Sequence, residues 1–145
     1  LARERLSIAI GCQAKAEAAL KWTVEYVQQR EMFGSTLADM QNTRFTLAEM
    51  QTDVEVGRSF VDDLLRQYLE GKLEPTRASM AKLWHTEMLG RVADKGLQMH
   101  GGWGYMREFR ISRLWVAARI ERILGGSNEV MKEIIGRSLV GRGKS

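Results

Sequence analysis

The apolar residues of this chain recur every three or four positions, which is the spacing of amphipathic helices. The first such run, from Leu6 to Val27, predicts a helix over residues 3–30. A second run predicts a helix over residues 37–70, because its steps of three and four form a seam that packs on neighbouring helices. That seam consists of Leu47, Met50, Val54, Gly57, Val61, Leu64 and Tyr68.

Glycine and proline divide the remaining chain into three further helices. The GKLEP segment, residues 71–75, ends the second helix and puts Pro75 in the first turn of a helix predicted over residues 75–99. The HGGWGY segment, residues 100–105, predicts a break, because each glycine costs about 1 kcal/mol relative to alanine inside a helix. Apolar residues at 111–118 predict a fourth helix, and those at 131–139 predict a fifth after the GGS break at residues 125–127.

No segment shows the alternation of a β-strand, so the predicted fold is all-α. Long helices joined by short turns indicate an antiparallel up-and-down four-helix bundle with an additional C-terminal helix. The length of 145 residues fits one domain, and 44% hydrophobic with 28% charged residues is a globular composition. The single proline and the lack of low-complexity runs argue against a disordered or fibrous chain.

The sequence carries no signal for a membrane or for secretion. No stretch reaches the roughly 18 consecutive apolar residues of a transmembrane helix, and the N-terminus lacks the pattern of a signal peptide. We therefore expect a cytoplasmic protein, or one of the mitochondrial matrix if the source is eukaryotic. Cys12 is the only cysteine, so no internal disulfide is expected. The helical pattern begins almost at the first residue, which leads us to expect a piece of a longer chain.

The net charge of +4 raises the question of a nucleic-acid partner. Basic and acidic residues are interleaved along most of the chain, which is the pattern of solvated helix faces. Only residues 107–122 depart from that pattern, with five arginines against two acids. Nucleic-acid binding would rest on the charge of this stretch alone, so we expect no such partner.

Few residues are candidates for metal binding or nucleophilic attack. A di-iron bundle needs Glu-x-x-His pairs, and no glutamate here has a histidine three residues later. His85 and His100 have no second cluster of ligands, so we interpret them as structural and expect no metal site. Cys12 lies among small residues of the first helix and is interpreted as a core residue.

The two glycine segments, at residues 101–102 and 125–126, carry more chemical information. Backbone N–H groups at glycine turns and helix starts bind phosphate and other anions. Arginines lie close to both segments in the sequence. On these observations alone, plain turns between helices remain an equal alternative.

Three motifs follow one another along the chain: REMFGSTLADMQ at residues 30–41, QMHGGWGYMRE at 98–108 and ILGGSNEVMKEIIGR at 123–137. They are similar to R-x-x-F-G-x-x-L-x-x-x-Q, to Q-x-x-G-G-x-G-Y, and to I-x-x-G-[TS]-x-E with a closing I-x-R. Through them the chain resembles the acyl-CoA dehydrogenases, specifically their C-terminal helical domain. The resemblance covers essentially the whole chain. It implies that residues 1–145 are the last third of a subunit whose N-terminal helical and middle β domains are absent here.

The resemblance also implies a set of contacts with FAD. In this chain Arg30, Phe33 and Gln41 would contact the FAD of a neighbouring subunit. Gln98, Gly101 and Gly102 would line its pyrophosphate, and Ser127 and Glu129 would meet its adenosine part. Physical chemistry agrees, because the arginine fork suits a diphosphate and bare glycine backbone lets donors approach it.

One position departs from the pattern of many family members. They carry the catalytic glutamate directly before the last glycine motif, where this chain has Gly125. In long-chain and isovaleryl members the base lies instead in an E-R-L stretch of the first helix, which Glu4, Arg5 and Leu6 match. The resemblance therefore implies Glu4 as the base and Gly125 as a vacated position whose backbone N–H still holds the substrate oxygen. The alternative for Glu4 is an acid that stabilises a helix N-terminus by about 0.3 to 1 kcal/mol.

The activity implied by the resemblance is FAD-dependent α,β-dehydrogenation of a fatty acyl-CoA to the trans-2-enoyl-CoA. The implied partners are the acyl-CoA substrate, an electron-transfer flavoprotein as acceptor, and further copies in a homotetramer or homodimer, with a hetero-oligomer left open. The isolated domain is expected to be inactive. The alternative is a non-catalytic helical assembly subunit of a flavoprotein complex. Acyl chain length is not readable, although residues 80–106 resemble long-chain members most.

Overall fold

The computed structural model describes residues 1–141, and its regular elements are helices apart from one hairpin of two two-residue strands. The helices are α1 (Ala2–Gln29), α2 (Gln41–Leu69), α3 (Pro75–His100), α4 (Gly102–Tyr105), α5 (Arg110–Glu121) and α6 (Asn128–Val140). The strands β1 (Glu31–Met32) and β2 (Ser35–Thr36) pair antiparallel, and a 3₁₀ turn follows at Leu37–Asp39. The predicted all-α class is confirmed, and the long helices begin and end close to their predicted limits.

The hairpin and the 3₁₀ turn were not predicted, and they shorten the second helix at its start to Gln41. Phe33 and Gly34 both have positive φ, at 55° and 80°, and reverse the chain between the strands. The side chain of Asp39 then accepts hydrogen bonds from the backbone N–H and the hydroxyl of Thr36, at 3.0 and 3.1 Å. This capping box stabilises a separate turn, because it satisfies N–H groups that the first turn of a helix leaves without an intrahelical partner.

The HGGWGY segment does break the helix, but it is not a plain loop. The chain leaves α3 at Gly101, where φ is 61° and ψ −143°, and Gly102–Tyr105 form the single turn α4. A Cβ on Gly104 would lie only 2.6 Å from the carbonyl oxygen of Leu97 and 2.8 Å from the Cβ of His100. Glycine at 104 therefore lets this turn pack directly on the end of α3.

Helix α3 is the centre of the domain, since it packs against α1, α2, α5 and α6. Alanines line much of its contact with α1 and let the two helix axes come close together. They are Ala9, Ala16, Ala19, Ala81 and Ala93, and all are buried. Cys12 is also buried at this contact, and burial raises the pKa of its thiol to about 12, so it stays protonated as a core residue.

Both histidines are buried and hydrogen-bonded to backbone carbonyls. The Nδ1 of His85 lies 2.8 Å from the Ala81 oxygen, and its Nε2 lies 2.9 Å from the Gly57 oxygen. The Nδ1 of His100 lies 2.7 Å from the Gly96 oxygen. Burial lowers the pKa of both imidazoles. Residues 1–141 contain no group of three or more His, Cys, Asp or Glu side chains arranged to hold a metal ion.

No helix within the described part of the chain is long and apolar enough to cross a membrane.

Candidate functional site

Most of the predicted site residues lie in two regions of the domain. The first region is a cleft beside the end of α3. The cleft has a volume of about 480 Å³ and lies between the end of α1, the hairpin and the α3–α4 junction. We call it the glycine cleft, because Gly101 and Gly102 form one wall while Arg30 and Trp103 stand on others. The fold therefore brings together Arg30 and the glycine pair, which are far apart in sequence.

The backbone of Arg30 is held on both sides, while its side chain is exposed. Its N–H donates to the Tyr26 oxygen at 2.9 Å and its carbonyl accepts from the Leu37 N–H at 2.9 Å. The Tyr26 ring stacks on His100 at 4.3 Å, and the Tyr26 hydroxyl donates to the His100 carbonyl at 3.2 Å. These contacts join the end of α1 to the end of α3, so the backbone of Arg30 has a defined position relative to the glycine wall.

The glycine wall offers open backbone to a ligand. A Cβ on Gly101 or Gly102 would meet no atom within 4 Å, so the space beside both residues is free. The Gly101 N–H is already bonded to the Gln98 oxygen at 3.1 Å, whereas the Gly102 N–H donates to no acceptor within residues 1–141. The cleft therefore offers a guanidinium and a free backbone donor, which suit an anion, and the exposed ring of Trp103, which suits an aromatic group. Together they fit a large anion that carries an aromatic group.

Five of the eight predicted FAD contacts do not line the glycine cleft: Ser127 and Glu129, which lie in the second region, and Phe33, Gln41 and Gln98. Phe33 is 90% exposed at the tip of the hairpin. Gln41 is the first residue of α2, Gln98 lies in the last turn of α3, and both are exposed. Their predicted roles involve groups outside this chain, so these roles stay predictions.

The second region is the loop of residues 125–127, which we call the GGS loop, together with the start of α1. Gly125 and Gly126 have φ of +65° and +87°, conformations that favour glycine. A Cβ on Gly125 would collide with the Cδ1 of Ile8. Ile8 lies one helical turn after Glu4 on the same face of α1. The fold thus places Gly125 beside the turn of α1 that follows Glu4.

Glu4 itself is exposed, with 65% of its side chain accessible. A general base in a dehydrogenase must be desolvated to gain basicity. The described residues do not cover Glu4, so that desolvation has to come from groups outside them.

Ser127 and Glu129 lie at the start of α6, as predicted. Ser127 is the N-cap residue, and its carbonyl accepts from the Met131 N–H at 3.1 Å. Its side chain makes no capping bond to the helix backbone. The pKa of Glu129 is lowered, first by its own backbone N–H and then by the Ser127 hydroxyl. Glu129 is exposed and Ser127 is half-buried, and their predicted contacts with FAD stay predictions.

Sequence reasoning missed two residues of this region, Lys82 and Asn128. Both side chains are buried, and they hydrogen-bond to each other at 2.9 Å. The Nζ of Lys82 also donates to the Gly126 carbonyl at 2.8 Å. The sequence does contain a signal for Lys82, because it shares the buried stripe of α3 with Ala78, His85 and Leu89.

Comparison with known proteins shows which family this chain belongs to. The family model described as the acyl-CoA dehydrogenase C-terminal domain matches residues 1–140. The chain belongs to the acyl-CoA dehydrogenase family. Over 140 residues it is 45% identical to the long-chain specific acyl-CoA dehydrogenase, mitochondrial, of Sus scrofa. The match covers 97% of this chain and 33% of that protein.

Solved structures of the family share the fold. The crystal structure of acyl-CoA dehydrogenase from Geobacillus kaustophilus superposes with a TM-score of 0.93 at 44% identity, over 95% of this chain and 36% of that one. An acyl-CoA dehydrogenase from Bacillus anthracis, described as complexed with FAD, superposes with a TM-score of 0.89 at 25% identity, over 96% of this chain and 27% of that one. This acyl-CoA dehydrogenase domain thus spans about a third of the length of its relatives.

Proposed function

We propose that this chain is the C-terminal helical domain of an FAD-dependent acyl-CoA dehydrogenase subunit that converts a fatty acyl-CoA to the trans-2-enoyl-CoA. One observation carries the proposal: the GGS loop, at the position where many family members have the base, lies against Ile8 on the face of α1 that bears Glu4. A carboxylate on α1 can therefore serve a substrate seated beside Gly125. The N-terminal helical and middle β domains would complete the subunit.

Glu4 is the proposed base for the α-proton. The α-hydrogen of an acyl thioester is a weak acid, so its removal needs a carboxylate aimed at it and donors that stabilise the enolate-like oxygen. The Gly125 N–H is one such donor, since it bonds to no acceptor within residues 1–141. Ile8 fills the space where a side chain at 125 would begin, so the acyl chain would lie beside Ile8 and the bare backbone of Gly125.

The glycine cleft is the proposed place where this chain holds part of an FAD. Arg30 would pair with the diphosphate, and the open backbone at Gly101 and Gly102 would let the phosphates approach closely. When bound, FAD supplies the acceptor for the hydride that leaves the β-carbon. The role of this chain is to hold and orient the group through a charged fork and a bare backbone surface.

The exposed hairpin supports an oligomer with a shared cofactor site. Phe33 leaves 90% of its surface exposed at a tip whose backbone is fixed by the capping box of Thr36. An ordered turn that presents a phenyl ring is suited to contact with a second subunit. We therefore propose a homodimer or homotetramer in which Arg30 and Phe33 meet the FAD of a neighbour, with an electron-transfer flavoprotein as the electron acceptor.

The proposed function predicts a yellow full-length protein whose flavin is bleached by substrate. The protein should copurify with FAD, and adding acyl-CoA under anaerobic conditions should remove the flavin absorbance band. A panel of straight and branched acyl-CoA thioesters would then identify the preferred substrate. A protein that carries no flavin and responds to no member of the panel would be the non-catalytic assembly subunit instead.

Arg30→Ala should lower the FAD content of the full-length protein and weaken its oligomer, because the charge facing the diphosphate is lost. Arg30→Lys should recover only part of the content, since the ammonium lacks the two-pronged geometry of the fork. The elution volume in gel filtration reports the oligomer, and the FAD-to-protein ratio of the eluted peak reports the FAD content. Arg44→Ala is the matched control, because that arginine is also exposed near the hairpin and donates to the Ala38 carbonyl at 3.2 Å. An FAD content unchanged in Arg30→Ala would refute the role.

A further inference from the structure

The GGS loop is tied to the centre of the domain by a buried lysine. Lys82 lies in the first third of α3 and has no exposed surface. Its Nζ donates to the Gly126 carbonyl at 2.8 Å and to the Oδ1 of Asn128 at 2.9 Å. A single side chain thus holds the backbone of the loop on one side and the first residue of α6 on the other.

Asn128 extends this connection into a network. Its Nδ2 donates to the Oγ1 of Thr86 and to the Oε1 of Glu87, both at 2.9 Å. Glu87 also lies 3.3 Å from Arg122, the residue that follows α5, and the Asn128 N–H donates to the Arg122 carbonyl at 3.0 Å. The segment 122–128, which contains the GGS loop, is therefore anchored at both ends to residues 82–87 of α3.

Packing alone does not account for a lysine at this position. Burial of an ammonium disfavours its charged form and lowers the pKa of Lys82, although Glu87, Glu121 and Glu129 partly oppose this effect. A methionine has a similar length and would fill the same space without desolvation of a polar group. What lysine adds is a pair of directed hydrogen bonds, one of which ends on the loop backbone.

The loop needs such an anchor because its own backbone is permissive. Gly125 and Gly126 are adjacent glycines, and each populates a wide range of φ and ψ when nothing holds it. The Gly126 carbonyl belongs to the peptide that follows the Gly125–Gly126 unit. Lys82 holds the Gly126 carbonyl, and the Asn128 N–H holds the Arg122 carbonyl ahead of the glycines at 3.0 Å, so the two bonds together restrict the direction of the Gly125 N–H.

We propose that Lys82 is a positioning residue for the dehydrogenation, which holds the Gly126 carbonyl and so aims the Gly125 N–H at the thioester oxygen of the substrate. This inference rests on the proposed function of the GGS loop. Lys82 touches neither substrate nor cofactor in this arrangement. It acts through the loop, with Asn128 as its partner.

The test is Lys82→Met in the full-length holoenzyme with an enoyl-CoA product that carries a heavy carbon isotope in its thioester carbonyl. Difference infrared spectroscopy reads how strongly the bound carbonyl is polarised by hydrogen-bond donors. We expect the carbonyl band to move toward its frequency in the free product. We also expect kcat to fall roughly tenfold to a hundredfold, the effect of a misplacement of about 1 Å, while KM changes much less.

Lys95→Met is the matched control, because Lys95 lies on the same helix and forms an ion pair with Glu49 at 2.8 Å far from the loop. It should leave the carbonyl band and kcat at the parent values. A loss of stability without a change at the loop would lower the melting temperature but would not move the band. Measuring well below the melting temperature therefore separates positioning from folding.

A double variant keeps the test decisive if Lys82→Met folds poorly. Lys82→Met with Asn128→Leu replaces both polar partners by apolar groups of similar size, a change that can be nearly neutral for stability. If the two residues act as one unit, the double variant should shift the carbonyl band about as far as Lys82→Met does, rather than by the sum of two effects. A band at the parent frequency in both variants would overturn the proposal.

Glu4→Gln separates this inference from the proposed function. If Glu4→Gln keeps full activity while Lys82→Met moves the carbonyl band, the base assignment falls and the positioning role stands. If the parent holoenzyme binds no enoyl-CoA, both fall together. If Glu4→Gln is inactive and Lys82→Met leaves the band in place, only the role of Lys82 is lost.

Discussion

Replacing Glu4 by glutamine in the full-length enzyme should slow flavin reduction by acyl-CoA by a factor of about 10² to 10⁴, the usual contribution of a positioned base. Glutamine keeps the shape and the hydrogen bonding of the side chain but cannot accept the α-proton. Substrate should therefore still bind. Anaerobic stopped-flow mixing with a saturating acyl-CoA measures the rate of bleaching, and the dependence on acyl-CoA concentration measures binding.

Glu25→Gln is the control for this experiment, since Glu25 is an exposed glutamate near the other end of α1. It should bleach at the parent rate. Bleaching of Glu4→Gln as fast as the parent would mean that the base lies elsewhere, and a paired subunit would become the preferred source. The exposed position of Glu4 in this chain makes the experiment informative, because the role depends on burial by the remaining domains.

The second large effect concerns moving the base to the GGS loop. Gly125→Glu in a Glu4→Gln background should restore little flavin reduction, because a Cβ at 125 meets the terminal Cδ1 of Ile8 and the Ile8 side chain has to shift to admit it. The φ of +65° at Gly125 adds strain of about 1 to 3 kcal/mol for any other residue. Adding Ile8→Ala removes the collision. We expect the triple variant to bleach about tenfold faster than Glu4→Gln and to prefer straight over branched acyl chains, since the new side chain fills the pocket.

Two control variants are needed to interpret the triple variant. Ile8→Ala in the Glu4→Gln background, with Gly125 unchanged, should remain as slow as Glu4→Gln, because it adds space and no proton acceptor. Gly125→Glu without Ile8→Ala should show a lowered melting temperature. Equal recovery with Ile8 intact would show that the loop moves freely, and the collision would then not explain why glycine occupies this position.

Most of the secondary structure was predictable because helix periodicity is a local property of the chain. The predicted helix over residues 75–99 is observed as Pro75–His100, and the one over 3–30 as Ala2–Gln29. The hairpin after Arg30 was missed because two-residue strands leave no periodic pattern. The turn α4 was missed because glycine disfavours helix in general, whereas Gly104 is required by the close approach of Leu97 and His100.

Only those residues of the candidate site that belong to recognisable sequence motifs could be predicted. Arg30, the glycine pair at 101–102 and the GGS loop are each recognisable in the sequence, and so is the absence of a carboxylate at 125. Lys82 and Asn128 belong to no motif that names their role. A lysine on an apolar stripe signals a buried partner, but it does not say which of the distant polar groups that partner is.

The sequence by itself determined the helices, the all-α class, the family and the candidate residues, because these depend on local periodicity and on motifs of fixed spacing. Only the tertiary structure decided which of those residues meet. Ile8 occupies the place where a side chain at 125 would begin, and Arg30 lines the same cleft as Gly101 and Gly102. Lys82 donates a hydrogen bond to the Gly126 carbonyl. These contacts join segments far apart in sequence, so they follow from the way α1, α5 and α6 pack around α3 and not from any single stretch of the chain.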